Sequence, residues 1–147
     1  MFDLRVYFVL DAQAVGARDP VALAAAARRG GATAVQLRDK RGDARKTTDL
    51  ARALVDACGG DVPLIVNDRV DVALCGRTAG VHVGSQDLHP QDARRLLGPD
   101  RVLGVTIHSG EQAATLRGET ADYAGVGPAF STATKANARA PIGADGI

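Results

Sequence analysis

Short apolar runs alternate with amphipathic helical stretches from one end of the chain to the other, and that alternation restricts the fold to parallel α/β architectures. The run 4–10 is almost wholly apolar, as expected of a strand covered on both faces. Asp19-Pro20 then opens a helix: Asp supplies an N-cap oxygen, and Pro tolerates the first helical position because its missing N–H would have no partner there. An Ala-rich body runs to Arg29, and Gly30-Gly31 ends it in a left-handed turn. The run 33–37 predicts the second strand, and 46–58 the next helix, with Leu50, Leu54 and Cys58 on one face. Strands follow at 62–66, 80–83, 102–105 and 122–126, separated by helices at 69–75, from Pro90 to Gly98, and after Ser109. Ser109 and Gln112 have capping-box spacing, in which the two side chains satisfy orphan N–H groups reciprocally.

Strands recurring every ~17 to 30 residues suit either an open doubly wound sheet or a (β/α)₈ barrel. The first β–α connection, 11–16, lacks the GxGxxG fingerprint, which disfavours dinucleotide binding. A length of 147 residues fits a single domain, 1–147, and is short of the ~250 residues typical of a closed barrel. The chain is 46% apolar and 24% charged with a formal net charge of +1, so no whole-chain field draws it to nucleic acid or to a membrane surface. Aromatics are 3% of the residues and Trp is absent, which disfavours a base-stacking platform or an aromatic cage. The start of the chain does not read as a signal peptide, and no stretch approaches the ~20 apolar residues of a bilayer span, so a cytoplasmic location is expected. Cys58 and Cys75 fit no metal spacing and are expected to be buried, reduced thiols.

Parallel α/β folds bind ligands at the C-terminal ends of their strands. After the second strand, alternation places Gln36, Arg38 and Lys40 on one side, an amide and two cations suited to a polyanion such as pyrophosphate, or else a solvated basic loop. Asn67-Asp68 follow the third strand and Asp87 the fourth. Two carboxylates from neighbouring strand ends can share Mg²⁺, which prefers oxygen ligands; each could equally cap a helix. Beside the Arg/Lys cluster, a metal–pyrophosphate site is the favoured reading. His108, after the fifth strand, is either an acid–base group or a loop-packing histidine. Beyond the sixth strand, Ser131, Thr132, Thr134 and Lys135 offer hydroxyls and a cation for a phosphate, with no Walker pattern.

Five segments together resemble the thiamine-phosphate synthase family: 36–40, 66–69, 80–84 with Asp87, 104–109, and 122–135 with Gly127-Pro128, Thr132, Thr134 and Lys135. They keep that family's order and spacing over nearly the whole chain. The resemblance implies an α/β fold of TIM-barrel type, parallel βα repeats with about six of the eight units present, hence an incomplete barrel. It implies coupling of hydroxymethylpyrimidine diphosphate with hydroxyethylthiazole phosphate, releasing pyrophosphate. Gln36, Arg38, Lys40, Asn67 and Lys135 would hold the pyrimidine diphosphate, with Arg38, Lys40 and Lys135 acting on the departing group. Asp68 and Asp87 would bind Mg²⁺, and Thr132 and Thr134 the thiazole phosphate. Thr106 stands where the family commonly has Ser and keeps the hydroxyl, while Gly84-Ser85-Gln86-Asp87 keeps only the last carboxylate of the family's acidic run.

Two other readings compete. A TenI-like thiazole tautomerase would need neither the paired Asp68 and Asp87 nor Lys135. A non-catalytic fragment of a synthase would bind phosphate ligands without turning them over. An open six-stranded barrel would also leave two strand edges unpaired, and three readings stay open: a truncated product of low stability, closure by self-association of copies of the chain through these edges, or an incomplete sequence.

Overall fold

The computed structural model describes residues 2–116, 120–131 and 140–147. Six strands, β1 (Tyr7–Asp11), β2 (Ala34–Arg38), β3 (Leu64–Asn67), β4 (Gly80–Val83), β5 (Val102–Ile107) and β6 (Tyr123–Val126), pair in chain order. Every pairing is parallel, so each connection crosses back over one face and carries a helix. These helices are α1 (Pro20–Arg29), α2 (Ala44–Cys58), α3 (Val70–Cys75), α4 (Pro90–Leu97) and α5 (Gly110–Thr115).

The two faces of the sheet have opposite chemistry. Leu10, Val35, Leu37, Leu64, Val66, Val81, Val83, Leu103, Val105 and Ile107 alternate along the strands toward the helices and make the core with Ala51, Leu54 and Cys58 of α2. The register puts Tyr7, Gln36, Arg38, Asn67, His82, Thr106 and Tyr123 on the other face, which forms the inner wall of the barrel. Five strand spacings of about 4.8 Å would separate β1 from β6 by roughly 24 Å in a flat sheet. Instead the Tyr7 and Tyr123 hydroxyls lie 2.7 Å apart, so the sheet curls until its first and last strands touch through their inward side chains. The result is the incomplete barrel of βα units expected from the sequence.

Local signals account for most helix ends. The Asp19 carboxylate accepts from the Val21 N–H at 2.9 Å and starts α1 at Pro20; Asp43 does the same for α2 through the Lys46 N–H at 2.9 Å. Gly59, with φ +67°, closes α2 in the left-handed conformation. At the end of α1, by contrast, Gly30 stays right-handed (φ −78°) and the left-handed turn falls on Gly31 (φ +92°). The capping box of α5 is also altered. Ser109 Oγ accepts from the Gln112 N–H at 3.2 Å, but Gln112 Oε1 reaches one residue further back, to the His108 N–H at 2.7 Å.

Cys58 is buried as expected, but Cys75 is exposed, which corrects the expectation of two buried thiols. It ends the six-residue α3, whose sheet-facing positions are taken by Val70, Val72 and Ala73. Among the described residues no helix is long and apolar enough to cross a membrane.

Candidate active site

The C-terminal ends of β1 to β4 converge on a cluster of charges. Arg38, the last residue of β2, is ion-paired through Nη1 with Oδ2 of Asp11, the last residue of β1. Two residues further along, Lys40 Nζ pairs with Oδ2 of Asp68, just beyond β3. The Asp68 N–H donates to the carbonyl of His82 at 2.8 Å, which ties this strand end to β4. Asp68 sits at φ +66°, a left-handed conformation that costs an ordinary residue about 1 kcal/mol and that Asp tolerates better than most.

Asp87 closes the cluster from the loop after β4, where its Oδ2 accepts from the Gly84 N–H at 2.7 Å. Burial pushes its carboxyl above the usual carboxylate range, the neighbouring Asp68 carboxyl pushes it the same way, and the Gly84 N–H and Lys40 pull against them. The facing carboxyls of Asp68 and Asp87 form a donor set for a cation. Neither caps a helix: the N-cap positions of α3 and α4 are Arg69 and His89, and neither makes a side-chain cap bond. Among the described residues no group of three or more His, Cys, Asp and Glu gathers to hold an ion. Two carboxylates are nevertheless enough for Mg²⁺ when ligand phosphate and water fill its shell, so the residues present fit that ion.

The loop carrying Lys40 is shaped by Asp39. Burial works against ionisation of its carboxyl, but bonds from Gln13 Nε2 (2.8 Å), the Gly42 N–H (2.8 Å), Thr47 Oγ1 (3.0 Å) and the Arg41 N–H (3.2 Å) outweigh it and hold the carboxyl below its ordinary range. The remaining amide oxygen of Gln13 accepts from the Lys40 N–H at 3.2 Å. Asp39 and Gln13 thus hold the loop in place through these bonds.

Below the charged rim, the inner wall carries a continuous polar chain. Gln36 Nε2 donates to the Tyr7 hydroxyl at 2.9 Å, and Tyr7 meets the Tyr123 hydroxyl at 2.7 Å. Tyr123 in turn meets His82 Nδ1 at 3.0 Å, and His82 Nε2 meets Thr106 Oγ1 at 2.7 Å. All five line a cavity of about 400 Å³ that opens between β1 and the 124–128 segment. Thr106 and Asp87 also border a second cavity of about 280 Å³ beside α4 and α5.

The structure therefore brings Arg38, Lys40, Asn67, Asp68 and Asp87 to one rim, while Gln36 stands deeper, only 6% exposed and bonded within the wall. Thr106 lies in the wall as well. Thr132, Thr134 and Lys135 fall outside the described residues. His108 binds the carbonyl of Gly127 through Nδ1, a packing role that fastens the end of β6 to β5. Sequence reasoning passed over Asp11, although it ends a strand as Arg38 does, and gave Tyr7 no role. Tyr7 and Tyr123 are 116 positions apart, so nothing local signals their contact.

The model of the family described as thiamine monophosphate synthase matches residues 6–147. Thiamine-phosphate synthase of Solidesulfovibrio magneticus is 46% identical over 99% of this chain and 70% of that protein. The synthase of Xanthobacter autotrophicus is 45% identical over 97% of this chain and 68% of its own length. Among solved structures, thiamine phosphate pyrophosphorylase from Pyrococcus furiosus superposes with a TM-score of 0.80 at 30% identity, over 96% of this chain and 66% of that one. A match along almost the whole chain, with the same barrel wall in a solved relative, leaves one assignment: the chain belongs to the thiamine monophosphate synthase family of enzymes.

Proposed function

We propose that the chain joins hydroxymethylpyrimidine diphosphate to hydroxyethylthiazole phosphate, an alkyl transfer that forms thiamine phosphate and releases pyrophosphate. The observation that carries this reading is the meeting of Arg38, Lys40, Asp68 and Asp87 at adjacent strand ends. Cations and a carboxylate pair at one rim suit a diphosphate and its metal together, and a tautomerase would need no such pair. Asp68 and Asp87 would hold Mg²⁺, which when bound neutralises charge gathering on the departing pyrophosphate.

The chain's own groups do the rest. Arg38 would grip diphosphate oxygens with its planar fork and Lys40 as a point charge, each exchanging a carboxylate partner for phosphate. Asn67 and Gln36 would fix the pyrimidine by hydrogen bonds, and Lys135 would approach the same diphosphate from the loop after β6. Thr132 and Thr134 would hold the thiazole phosphate, orienting the ring nitrogen toward the pyrimidine methylene. As the C–O bond to diphosphate breaks, the electron-rich pyrimidine carries the positive charge and the thiazole nitrogen supplies the electron pair for the new C–N bond. Positioning and electrostatic stabilisation of the leaving group are what the site contributes.

The test incubates the purified chain with both substrates and Mg²⁺ and measures thiamine phosphate against a chelator control. Metal-dependent product is expected. Folded protein that binds Mg²⁺-pyrophosphate without forming product would overturn the reading in favour of a binding fragment, and thiazole isomerisation that persists in chelator would favour the tautomerase.

A further inference from the structure

Gln13 commits its backbone N–H and both ends of its amide to the charged rim. It lies in the loop after β1, where the Ala12 N–H donates to the Arg38 carbonyl at 2.9 Å and carries the pairing with β2 one residue past Asp11. The Ala14 N–H returns to the Asp11 carbonyl at 2.9 Å, so Gln13 is held in a turn. From there its own N–H donates at 2.9 Å to Oδ1 of Asp11, the carboxylate that pairs with Arg38. Its side chain turns to the neighbouring loop, where Nε2 donates to Asp39 Oδ1 at 2.8 Å and Oε1 accepts from the Lys40 N–H at 3.2 Å. Neither direction can be reversed. A backbone N–H can only donate, and an Asp39 carboxylate ionised at neutral pH can only accept.

The receiving loop is fixed on its other side as well. The Arg41 and Gly42 N–H groups and Thr47 Oγ1 of α2 also donate to Asp39. A Cβ on Gly42 would stand 1.9 Å from Asp39 Oδ2 and 2.4 Å from Thr47 Oγ1, so a side chain there would displace the carboxylate. The main chain of Lys40 is thus tied to a different strand, while its half-exposed ammonium end pairs with Asp68.

We propose that Gln13 is a positioning residue for Lys40: it fixes the main chain of that residue from the loop after β1, so that the ammonium, on leaving Asp68, meets the diphosphate of the ligand. The diphosphate rests on the synthase reading; the fixed main chain does not. A lysine side chain gives up rotamer freedom when it binds, and a main chain that also wandered would add to that loss. The Arg38 branch is separate, because Gln13 reaches Asp11 through its backbone N–H, which no side-chain substitution removes.

Gln13→Met keeps the reach of the side chain and removes both of its bonds. Lys40, Lys46 and Lys135 are the only lysines, so ¹⁵N-lysine labelling isolates the Lys40 amide. Its hydrogen exchange is expected to quicken about fivefold in Gln13→Met, the scale of one hydrogen bond, while the Lys46 N–H, which Asp43 accepts, keeps its rate. Unchanged exchange at Lys40 would overturn the proposal.

The second readout is binding of inorganic pyrophosphate in excess Mg²⁺, followed by calorimetry on the full chain. Gln13→Met should weaken it about fivefold. The same substitution should weaken it about fivefold again beside Arg38→Ala and not at all beside Lys40→Ala, because its effect passes through Lys40. Equal losses in the two backgrounds would mean a general loosening of the rim and would overturn the positioning role, as would unchanged affinity for Gln13→Met alone. A wild-type chain that binds no pyrophosphate would overturn the diphosphate rim and this role together. Binding without turnover would remove the synthase reading and leave the role of Gln13 standing.

Discussion

Asp87 is the residue whose environment makes the sharpest claim. Burial and the facing Asp68 carboxyl hold its pKa above the ordinary carboxylate value, so the folded chain binds a proton there more readily than the unfolded chain does. Its ionised form therefore weakens the fold as pH rises from the ordinary value through the raised one, and above that window the full cost is present. Asp87→Asn removes the charge and can keep the bond from the Gly84 N–H. In metal-free buffer at neutral pH, thermal unfolding should show it unchanged or more stable by no more than about 0.5 kcal/mol, the scale of a half-exposed charge. Added Mg²⁺ should raise the Tm of the wild type and not of the variant; an equal rise in both would remove Asp87 from the cation site. Gly104 makes an opposite claim, about space. Gly104→Ala puts a methyl against Tyr123 and His82 inside a packed wall, and overpacking of this kind costs about 1–3 kcal/mol. Denaturant unfolding reads that cost directly, and wild-type stability would show that the two rings can separate freely.

At the scale of elements, β6 and α5 are held differently from the rest. No residue of α5 is buried, and β6 alternates between half-buried and exposed positions, whereas all of β2 before Arg38 is buried. What fastens β6 is largely polar. The Arg94 guanidinium donates to the carbonyls of Thr120 (3.1 Å), Gly98 (2.9 Å) and Arg101 (2.6 Å) and to Asp122 Oδ2 (2.7 Å), and Asp122 also accepts from the Leu103 N–H at 2.6 Å. Amide hydrogen exchange should accordingly be fastest in α5 and β6 and slowest in β2 to β4, because local opening follows buried contacts. Arg94→Ala should speed exchange in β6 while leaving β2 unchanged; uniform acceleration would mean that the wall opens only as a whole. The start of α1 was legible in the sequence, because cap and first residue are adjacent at Asp19-Pro20, whereas α2 starts at Ala44 under an Asp43 cap, two residues before the expected 46. Strand limits were less legible. The first strand begins at Tyr7 rather than at residue 4, and the fifth extends to Ile107, because pairing with a neighbour sets where a strand stops. That Arg38, Lys40, Asp68 and Asp87 meet at one rim could be anticipated, because each follows a strand and the strands are parallel neighbours. The contact of Tyr7 could not, since an apolar run gives no sign of which residue will curl round to meet Tyr123.

At the scale of the whole molecule, that curl brings the sheet round without joining its ends. Among the described residues, β1 and β6 each pair on one side only, so the far side of each carries a row of backbone donors and acceptors with no described strand opposite it. The side chains along these edges do not guard them. Val6 and Val9 are exposed near and within β1, Val126 within β6, and neither strand contains a Lys or a Pro, the residues that usually blunt an edge. Strand pairing across copies would satisfy both rows at once and cover these valines, which makes association through the edges the outcome to test. Sedimentation velocity over a range of concentrations should then show a reversible shift from monomer to dimer or larger species. Val9→Lys with Val126→Lys places a charge on each edge and should return the protein to monomer at every concentration. Monomer throughout for the wild type would show that the edges are already satisfied. A wild-type association that the lysines leave intact would place the contact elsewhere, on the helical face rather than on the strands.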